Sequence, residues 1–367
     1  MAIYTGDIKN LYDFDKAIEG VARGSQTLDI TDKCLQLCRK YLPGVWTQVT
    51  DNDIRVTRMT GGLTNQIYLC EICDTITDGQ LGQQPRDIII RLNGNTYDQT
   101  FRMTDNPRFN DTIIAPLVSQ TGLGPQLYGM DPSAQVLRYY KHRTFDIRDI
   151  NDPQLLRELA QKLARVHALP APVARNENYI EMFVHNNAKL ITAEFVSQLI
   201  SLCSRHQCHH LMGFDIRREI ADMTDYIARH YTDCPLVFSH NDFRGGNVLV
   251  TEGSGLVLTD FDHSTYGWRG FDFGEFFASF ITETDDFSKG FPMESTIRSF
   301  VEHYRTECQQ WFGSDYGLKV YNSTDYMVNE IKFFILFDYL VVISCFVLND
   351  VRDGLPMDER TIMSALD

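Results

Sequence analysis

Two short polar motifs stand out in the chain, His240-Asn241-Asp242-Phe243-Arg244-Gly245-Gly246-Asn247 and, further on, Asp260-Phe261-Asp262. Between these two motifs, a Gly-rich turn separates two short apolar runs, which predicts a β-hairpin. The start of one antiparallel strand lies beside the end of its partner, so Asn247 and Asp260 should meet at one end of the hairpin. Asp242 lies on the loop that leads into it.

The side chains gathered by this hairpin favour phosphoryl transfer. Two carboxylates and an amide oxygen at one place suit Mg²⁺ together with a general base. Kinases need that combination, because a metal binds the phosphates and an aspartate lies beside the attacking hydroxyl. Asp, Asn and Gly also form turns, so any one of them alone is explained by turn chemistry. The complete pattern H-x-D-x-x-x-x-N, then a hairpin, then D-F-D, indicates a phosphotransferase site.

The size and charge of the chain limit its architecture and its partners. At 367 residues it exceeds a typical single-core domain, so two lobes are expected. The formal net charge of −15 argues against a nucleic-acid partner or an anionic membrane surface. An acidic protein that handles ATP also needs local cations, from metal or arginine, to offset its own field.

Cysteine usage and the N-terminus predict a cytoplasmic protein. The nine cysteines lack framework spacing, and residues 1–20 contain no basic start followed by an apolar run. Cys70 and Cys73 form a C-x-x-C pair, but they fall in a strand-like run, where buried small side chains are the favoured interpretation. A second cluster of metal-type residues has no defensible zinc spacing and stays unassigned. It comprises Cys203, His206, Cys208, His209 and His210.

The first part of the chain predicts a small sheet with a Gly-rich loop. Residue patterns predict strands over 54–59, 66–72 and 87–92. Between the first two strands, Gly61-Gly62 lies in a layout typical of a loop that folds over nucleotide phosphates. An ordinary hairpin turn explains these glycines equally well, and no G-K-[ST] follows to make a P-loop. Arg91, at the end of the third strand, is either an exposed edge charge or a cation for the phosphates.

The remainder of the chain predicts helices around the hairpin. Asp152-Pro153 opens a helix with an N-cap and a first-turn proline, and His167 ends it as a packed structural histidine. Arg269 and Asp272 could pair and brace the loop below the metal site. The apolar run at residues 333–348 is shorter than the about 18–20 residues that span a bilayer, so we expect a buried helix.

These features together resemble the choline/ethanolamine kinase family, within the larger group of kinase-like small-molecule phosphotransferases. The resemblance covers most of the chain and is densest over residues 237–280. There, residues 240–247 match the family's catalytic loop, and residues 260–277 match its segment D-F-E-Y-S-x-Y-N-x-R-G-F-D-x-x-N-H-F. The Gly-rich loop at residues 61–65 and the segment at residues 122–129 also resemble family features.

The resemblance implies an α+β, two-lobe protein-kinase-like fold that binds ATP and Mg²⁺. A small antiparallel-sheet N-lobe with the nucleotide loop would cover residues 1–139. A large helical C-lobe with the catalytic loop and the substrate pocket would cover residues 140–367. Asp242 would be the base at the substrate hydroxyl, with Asn247 and Asp260 as metal ligands.

Further site residues follow from the same resemblance. The implied ATP-binding residues are Gly61, Gly62, Thr64, Asn65 and Arg91, with Arg91 as the strand cation on the phosphates. The implied supporting residues are Asp111, which stands where the family has a longer Glu paired with that cation, and His240, Arg269 and Asp272. The implied substrate-binding residues are Asn241, Asp262, His263, Phe334 and Phe337.

The departures from the family pattern lie mostly on the substrate side. Asp262 replaces the family's Glu, and His263 replaces the Tyr that follows it. Glu275-Phe276 stands in place of Asn-His, and Ser279 stands in place of a later acid. Phe334 and Phe337 stand where two Trp residues are expected, although plain helix core explains them equally well. Each loss of a Trp or an acid weakens the hold on a quaternary ammonium by about 0.5–2 kcal/mol. Glu275 and Glu283 are candidates to compensate.

The resulting prediction is a kinase that uses ATP and Mg²⁺ to phosphorylate the hydroxyl of choline, or of ethanolamine, for phospholipid synthesis. Its partner would be the small-molecule substrate, with no nucleic acid and no membrane span, and a homodimer stays open. One alternative is a phosphotransferase for an aminoglycoside- or sugar-like acceptor. Another is a binding protein that kept the fold without catalysis, but the intact set Asp242, Asn247 and Asp260 argues against it.

Overall fold

The computed structural model divides into two compact units. The described residues are 30–59, 65–93, 107–175, 180–181, 183–184, 191–206, 213–280 and 291–353. One unit comprises residues 1–102 and 118–141, and the other comprises residues 103–117 and 142–367. The lobes expected from the sequence, residues 1–139 and 140–367, stay predictions.

A five-stranded antiparallel sheet forms the centre of the first unit. Its strands are β1 (Ile54–Met59), β2 (Gln66–Ile72), β3 (Asp87–Leu92), β4 (Leu127–Asp131) and β5 (Ala134–Arg138). They pair in the order β1-β2-β3-β5-β4. The helices of this unit are α1 (Ile30–Tyr41) and the short α2 (Asp78–Leu81). The three strands predicted from the sequence are therefore confirmed.

Alternation along the strands decides which face of the sheet is buried. Ile88, Ile90 and Leu92 of β3 lie in the core, while the residues between them are half-buried. Helix α1 packs on the same core through its apolar face. Cys70 of β2 is fully buried there, as expected for a small side chain of the core and not for an accessible redox pair with Cys73.

The second unit is mainly helical. Its helices are α3 (Pro107–Thr121, with its last residues in the first unit), α4 (Pro153–His167), α5 (Ala193–His206), α6 (Ile216–His230), α7 (Arg269–Ser279), α8 (Glu294–Phe312) and α9 (Thr324–Asp353). Its strands are β6 (His142–Thr144), β7 (Leu236–Ser239), β8 (Val248–Thr251), β9 (Gly255–Leu258) and β10 (Thr265–Trp268). These form a three-stranded sheet, β6-β8-β9, and a two-stranded sheet, β7-β10.

Helix α4 begins as its sequence predicts. The carboxylate of Asp152 accepts hydrogen bonds from the backbone N–H groups of Gln154 at 2.8 Å and Leu155 at 3.2 Å. Pro153 occupies the first turn, where it leaves no further N–H group unsatisfied. His167 ends the helix and is buried, which confirms its interpretation as a packed histidine.

Helices α7 and α9 approach each other through glycines. A Cβ atom built on Gly274 would lie 2.3 Å from the carbonyl carbon of Phe334, and one on Gly270 would lie 2.2 Å from the ring of Phe334. No side chain larger than hydrogen fits at either position without a shift of α9. The two helices are therefore held at close range, with the Phe334 ring filling the space between them.

Helix α9 contains the apolar run that predicted a buried helix. Phe334 and Phe337 have no exposed surface, whereas Leu336 between them is 55% exposed, so one face of the helix is buried. The side chains of residues 342–353 lie outside the description. Across the described ranges, none of the helices is both long and apolar enough to cross a membrane.

Replacing Gly274 by alanine should destabilise the protein, because the new methyl group meets the backbone of α9. Overpacking of this kind costs about 1–3 kcal/mol, which urea denaturation followed by circular dichroism would measure. Gly213→Ala is the matched control, since a Cβ atom at Gly213 meets no atom of the described residues within 4 Å. Equal unfolding midpoints for the two variants would contradict the close approach of α7 and α9.

Candidate active site

The predicted hairpin is confirmed, and it brings the two motifs together. Strands β8 and β9 pair with Val248 opposite Leu258. The backbone N–H of Thr259 then donates to the carbonyl oxygen of Asn247 at 2.9 Å, which extends the ladder by one residue. Asp260 is the next residue along the chain. Asn247 and Asp260 therefore occupy neighbouring positions at the same end of the hairpin.

The carboxylate of Asp242 is held by two side chains. Nε of Arg244 donates to Oδ1 at 2.9 Å, and Nδ2 of Asn247 donates to Oδ2 at 2.6 Å. The same Nδ2 also donates to the backbone carbonyl of Asp242 at 2.9 Å. These bonds orient the Asn247 amide, whose own Oδ1 accepts no hydrogen bond from any described residue.

His240 joins the catalytic loop (residues 240–247) to the hairpin. Its Nε2 donates to the carbonyl oxygen of Thr259 at 2.9 Å, and its Nδ1 accepts from the backbone N–H of Asp242 at 3.3 Å. A ring that donates through one nitrogen and accepts through the other is neutral. Burial lowers the pKa of His240, which favours the same neutral form. One buried ring therefore sets the position of Asp242 relative to the hairpin.

A buried carboxylate anchors the other side of the catalytic loop. Asp272 in α7 has no exposed surface and accepts the backbone N–H groups of His240 at 2.8 Å and Asn241 at 2.7 Å. Nε2 of His167 donates to the same carboxylate at 3.0 Å. The hydroxyl of Tyr304 in turn donates to Nδ1 of His167 at 2.7 Å. Three donors offset the cost of burying this charge, which is otherwise several kcal/mol.

The predicted pair between Arg269 and Asp272 is wrong. Nη2 of Arg269 donates to Oε2 of Glu330 in α9 at 2.9 Å, and Nη1 donates to Oδ1 of Asn322 at 2.6 Å and to the Tyr316 hydroxyl at 3.1 Å. Asp272 faces the catalytic loop instead. Arg269 and Asp272 are spaced as helix neighbours, but each has better-placed partners that are distant in sequence. Helix α7 is thus fastened to α9 by one residue and to the loop by the other.

Two residues of the site have left-handed backbone conformations. The φ angle is 60° at Asn241 and 63° at Asp260. Asn and Asp tolerate this region better than other residues with a Cβ atom. Nδ2 of Asn241 donates to the carbonyl oxygen of His263 at 2.9 Å, so its side chain secures the segment after Asp260. Strained backbone that is over-determined by hydrogen bonds is common at functional sites.

Two further carboxylates lie near Asp242. Oε2 of Glu275 in α7 accepts the backbone N–H of Phe243 at 2.7 Å. Asp338 in α9 is 6% exposed and makes no hydrogen bond with any described residue. Burial raises the pKa of Glu275 well above its usual value, and the charges of Asp242 and Asp338 raise it further. Burial raises the pKa of Asp338 to about 7, with a contribution from Asp242. Acids that repel one another in this way favour a cation among them.

Local sequence patterns indicate no role for Arg244 or Asp338, and they leave Glu275 as one of two candidates to hold the substrate cation. Arg244 lies within the decisive motif, two residues after Asp242, so its position was a usable signal. Asp338 was visible as a charge inside an apolar run. Its proximity to Asp242 depends on how α9 packs, which no local pattern contains.

The residues expected to bind substrate are not all at the surface of the site. Phe334 and Phe337 lie in the apolar core with no exposed surface, so the structure supports helix core, the alternative interpretation. Phe334 is buried because it fills the space left by the glycines of α7. Asp262 is 6% exposed and His263 is half-buried, and their substrate contacts stay predictions.

The residues expected to bind ATP belong to the first unit. Asn65 is buried, and Arg91 is half-buried on β3 opposite Ile67 of β2. Asp111 lies in α3, and its side chain lies outside the description. Also outside the described residues are Gly61, Gly62 and Thr64 and, in the unassigned cluster, Cys208, His209, His210 and the side chains of Cys203 and His206. The nucleotide contacts stay predictions.

Asn247 and Asp260 fit a magnesium site that the nucleotide completes. The Asn247 amide turns its donor group to Asp242, which leaves its oxygen for a cation. Within the ranges described, no group of three or more His, Cys, Asp or Glu side chains could hold a metal ion by itself. Mg²⁺ commonly binds through one or two protein oxygens, several waters and substrate phosphates. The residues present match that mode.

Comparisons with solved structures show the fold. A crystal structure of choline kinase from Cryptosporidium parvum matches with a TM-score of 0.62 at 16% identity, over 91% of this chain and 93% of that one. Plasmodium vivax ethanolamine kinase matches with a TM-score of 0.60 at 15% identity, over 99% and 95%. With an antiparallel sheet in one unit and helices in the other, the chain has a protein-kinase-like fold, as predicted.

The sequence comparisons then show the family. The family model described as choline/ethanolamine kinase matches residues 56–350. Human choline/ethanolamine kinase is 26% identical over 298 residues, which cover 78% of this chain and 72% of that protein. Mouse choline kinase alpha is 25% identical over 337 residues, which cover 85% and 71%. The chain belongs to the choline/ethanolamine kinase family.

Acidification should destabilise the protein through His167. Histidine has a pKa of about 6.5 in an unfolded chain, whereas burial lowers the pKa of His167 in the folded protein. Below about pH 6.5 the unfolded state therefore binds more protons, so stability that is present above that pH is lost as the pH falls. His167→Gln should reduce this slope by up to about 1.4 kcal/mol per pH unit, measured by urea denaturation between pH 7.5 and 5.

His230→Gln is the matched control, because His230 is exposed on the last turn of α6. Burial also lowers the pKa of His240, which remains in both variants. Part of the dependence of stability on pH is therefore kept in His167→Gln. If wild type and His167→Gln lost stability equally on acidification, His167 would not be the neutral buried ring described above.

Proposed function

We propose that the protein is an ATP-dependent kinase that phosphorylates the hydroxyl group of a small amino alcohol, ethanolamine or choline. The product would be the phospho-amino-alcohol used in phospholipid synthesis. The observation that carries the proposal is the geometry of Asp242, whose carboxylate is held by Asn247 at 2.6 Å at the end of the hairpin that leads to Asp260. This arrangement meets the needs of phosphoryl transfer in a member of the choline/ethanolamine kinase family.

Asp242 would act as the general base. It would accept the proton of the acceptor hydroxyl as that oxygen attacks the terminal phosphorus of ATP. The new oxygen–phosphorus bond forms while the bond from that phosphorus to the β-phosphate oxygen breaks, and ADP leaves. Asn247 and Asp260 would hold Mg²⁺, which when bound neutralises charge on the phosphates. The nucleotide contacts proposed in the first unit are Gly61, Gly62, Thr64, Asn65 and Arg91.

The acids around Asp242 support an acceptor that carries a positive charge. Glu275 and Asp338 add two carboxylates, and Asp338 is buried without a hydrogen-bond partner among the described residues. An ammonium group would relieve the mutual repulsion of these acids, whereas the hydroxyl groups of a sugar would not. The charge of the site therefore favours an amino alcohol over a neutral acceptor.

The same residues support ethanolamine before choline. A quaternary ammonium is held best by the faces of aromatic rings, but Phe334 and Phe337 have no exposed surface. A primary ammonium instead donates charge-assisted hydrogen bonds to carboxylates. Glu275 and Asp338 are the acceptors that we propose for those bonds.

Asp242→Ala should abolish most of the activity while the fold is kept. Wild type with ATP and Mg²⁺ should phosphorylate ethanolamine or choline, and the variant should lose about 10²–10⁴ in kcat, the usual range of general-base catalysis. Release of ADP and the mass of the product would measure both. Asp233→Ala is the control, since Asp233 is an exposed aspartate before β7.

Equal turnover by Asp242→Ala and wild type would remove Asp242 from this role. A panel of hydroxyl acceptors tests the class of substrate in the same assay. Product from an aminoglycoside or a sugar, with none from amino alcohols, would decide for the alternative acceptor. A melting temperature raised by ATP and Mg²⁺, with no turnover of any acceptor, would indicate a binding protein.

Glu275→Gln and Asp338→Asn should each raise the KM for ethanolamine and leave the KM for ATP unchanged. A hydrogen bond to a charged group contributes about 1.5–3 kcal/mol, which corresponds to about a tenfold to hundredfold rise. Steady-state kinetics with ethanolamine as the varied substrate would measure it. Glu302→Gln, on the exposed face of α8, is the control. An unchanged KM for ethanolamine in both variants would argue against this amine contact.

A further inference from the structure

Arg244 lies among the groups that the proposed reaction uses. Its Nε donates to Oδ1 of Asp242 at 2.9 Å, and its side chain is 44% exposed while that of Asp242 is 20% exposed. The charges of Asp242, Glu275 and Asp260 all act on its guanidinium. A cation is therefore held at the accessible side of the site, bonded to the proposed base and within electrostatic reach of a proposed metal ligand.

Gly246 leaves room for the guanidinium of Arg244. A Cβ atom built on Gly246 would lie 2.8 Å from Nη1 of Arg244 and 3.7 Å from its Cζ. The arginine thus folds back across the catalytic loop, and the missing side chain at position 246 permits it. Gly246 is not among the residues with a positive φ. What this glycine provides is space, and not backbone freedom.

The Nη groups of Arg244 have no hydrogen-bond partner among the described residues. The hydrogen bond of Arg244 is made through Nε. The guanidinium carries five N–H donors in a rigid plane and remains charged. Such a planar pair of donors matches the oxygens of a phosphoryl group.

The acids of the site make a cation here useful for phosphoryl transfer. Asp242 interacts electrostatically with Glu275 and Asp338, and Arg244 interacts with Asp242, Glu275 and Asp260. The chain as a whole carries a formal net charge of −15. A terminal phosphate that approaches Asp242 is itself anionic, so it is repelled unless a positive charge lies beside it.

We propose that Arg244 is a catalytic residue, which binds oxygens of the transferred phosphoryl group through Nη1 and Nη2 while its Nε holds Asp242. The inference rests on the proposed function above. As the acceptor oxygen bonds to the terminal phosphorus and the bond to the leaving β-phosphate oxygen breaks, the hydroxyl proton passes to Asp242. The guanidinium stabilises the negative charge on the remaining phosphoryl oxygens. Gly246 is a positioning residue for the guanidinium.

Three substitutions and one control separate this role from simple support of Asp242. Arg244→Gln removes the charge, Arg244→Lys keeps it without the planar donors, and Gly246→Ala displaces the guanidinium without altering it. Arg148→Gln is the control, because Arg148 is 85% exposed and bonds Asp146, and the charges that act on it are those of Asp146 and Asp149. Each protein is assayed for kcat with ATP and ethanolamine. Without acceptor, calorimetry then measures the affinities for ATP and ADP in the presence of Mg²⁺.

Arg244→Gln should lower kcat by about 10²–10³, as the loss of one transition-state donor does. Its preference for ATP over ADP should fall by about tenfold, because only ATP brings the terminal phosphate to these donors. Arg244→Lys should restore part of both quantities. Gly246→Ala should fall between wild type and Arg244→Gln with an unchanged unfolding midpoint, and Arg148→Gln should match wild type.

A kcat for Arg244→Gln within about threefold of wild type overturns the proposal, since a donor to the transferred group matters far more than that. A lowered kcat with an unchanged ratio of ATP to ADP affinity also overturns it, because Arg244 would then act only on Asp242. Failure of wild type to phosphorylate any amino alcohol refutes the proposed function. The affinity ratio needs no acceptor, so it tests Arg244 separately.

Discussion

The candidate site depends on one buried carboxylate, that of Asp272. It accepts the backbone N–H groups of His240 and Asn241 and the Nε2 proton of His167, and it has no contact with solvent. A carboxylate in such a place is tolerated only when its oxygens are fully bonded, so the loop cannot move away without exposing an uncompensated charge. Asp242 directly follows the anchored segment. The position of the proposed base is therefore set by a residue that would touch neither substrate nor nucleotide.

Helix α7 carries Asp272 and also contacts helix α9 and the segment after Asp242. Arg269 at its start bonds Glu330 in α9, Asp272 holds the loop, and Glu275 accepts the N–H of Phe243 near the acids that we assign to the amine. Gly270 and Gly274 bring α9 close enough for Asp338 to act on Asp242. The chemistry of the base and the charge of the acceptor site are thus built on the same rigid pair of helices, a sound support for a precise geometry.

The parts of the site that could be predicted are those encoded locally. The pairing of Asn247 with the segment of Asp260 follows from a short hairpin, and the helix after Asp152 follows from its cap. The partner of Arg269 could not be predicted, because Glu330 is 61 residues away and many acids compete for one arginine. The substrate role expected of Phe334 is implied by the family resemblance alone. Phe334 is buried because it packs against Gly270 and Gly274 of α7. The sequence around Phe334 contains no signal of this contact with a different helix.

The left-handed backbone at Asn241 and Asp260 has a consequence for how members of this family are compared. Asparagine, aspartate and glycine are the residues that accept such a conformation without a large penalty. The left-handed backbone therefore restricts the residue type at both positions, whether or not a chain turns over any substrate. Asp242 and Asn247 carry no such demand, since neither has a positive φ. When homologues are screened for working enzymes, the identities at 242 and 247 are more informative than those at 241 and 260, because no backbone strain selects the residue there.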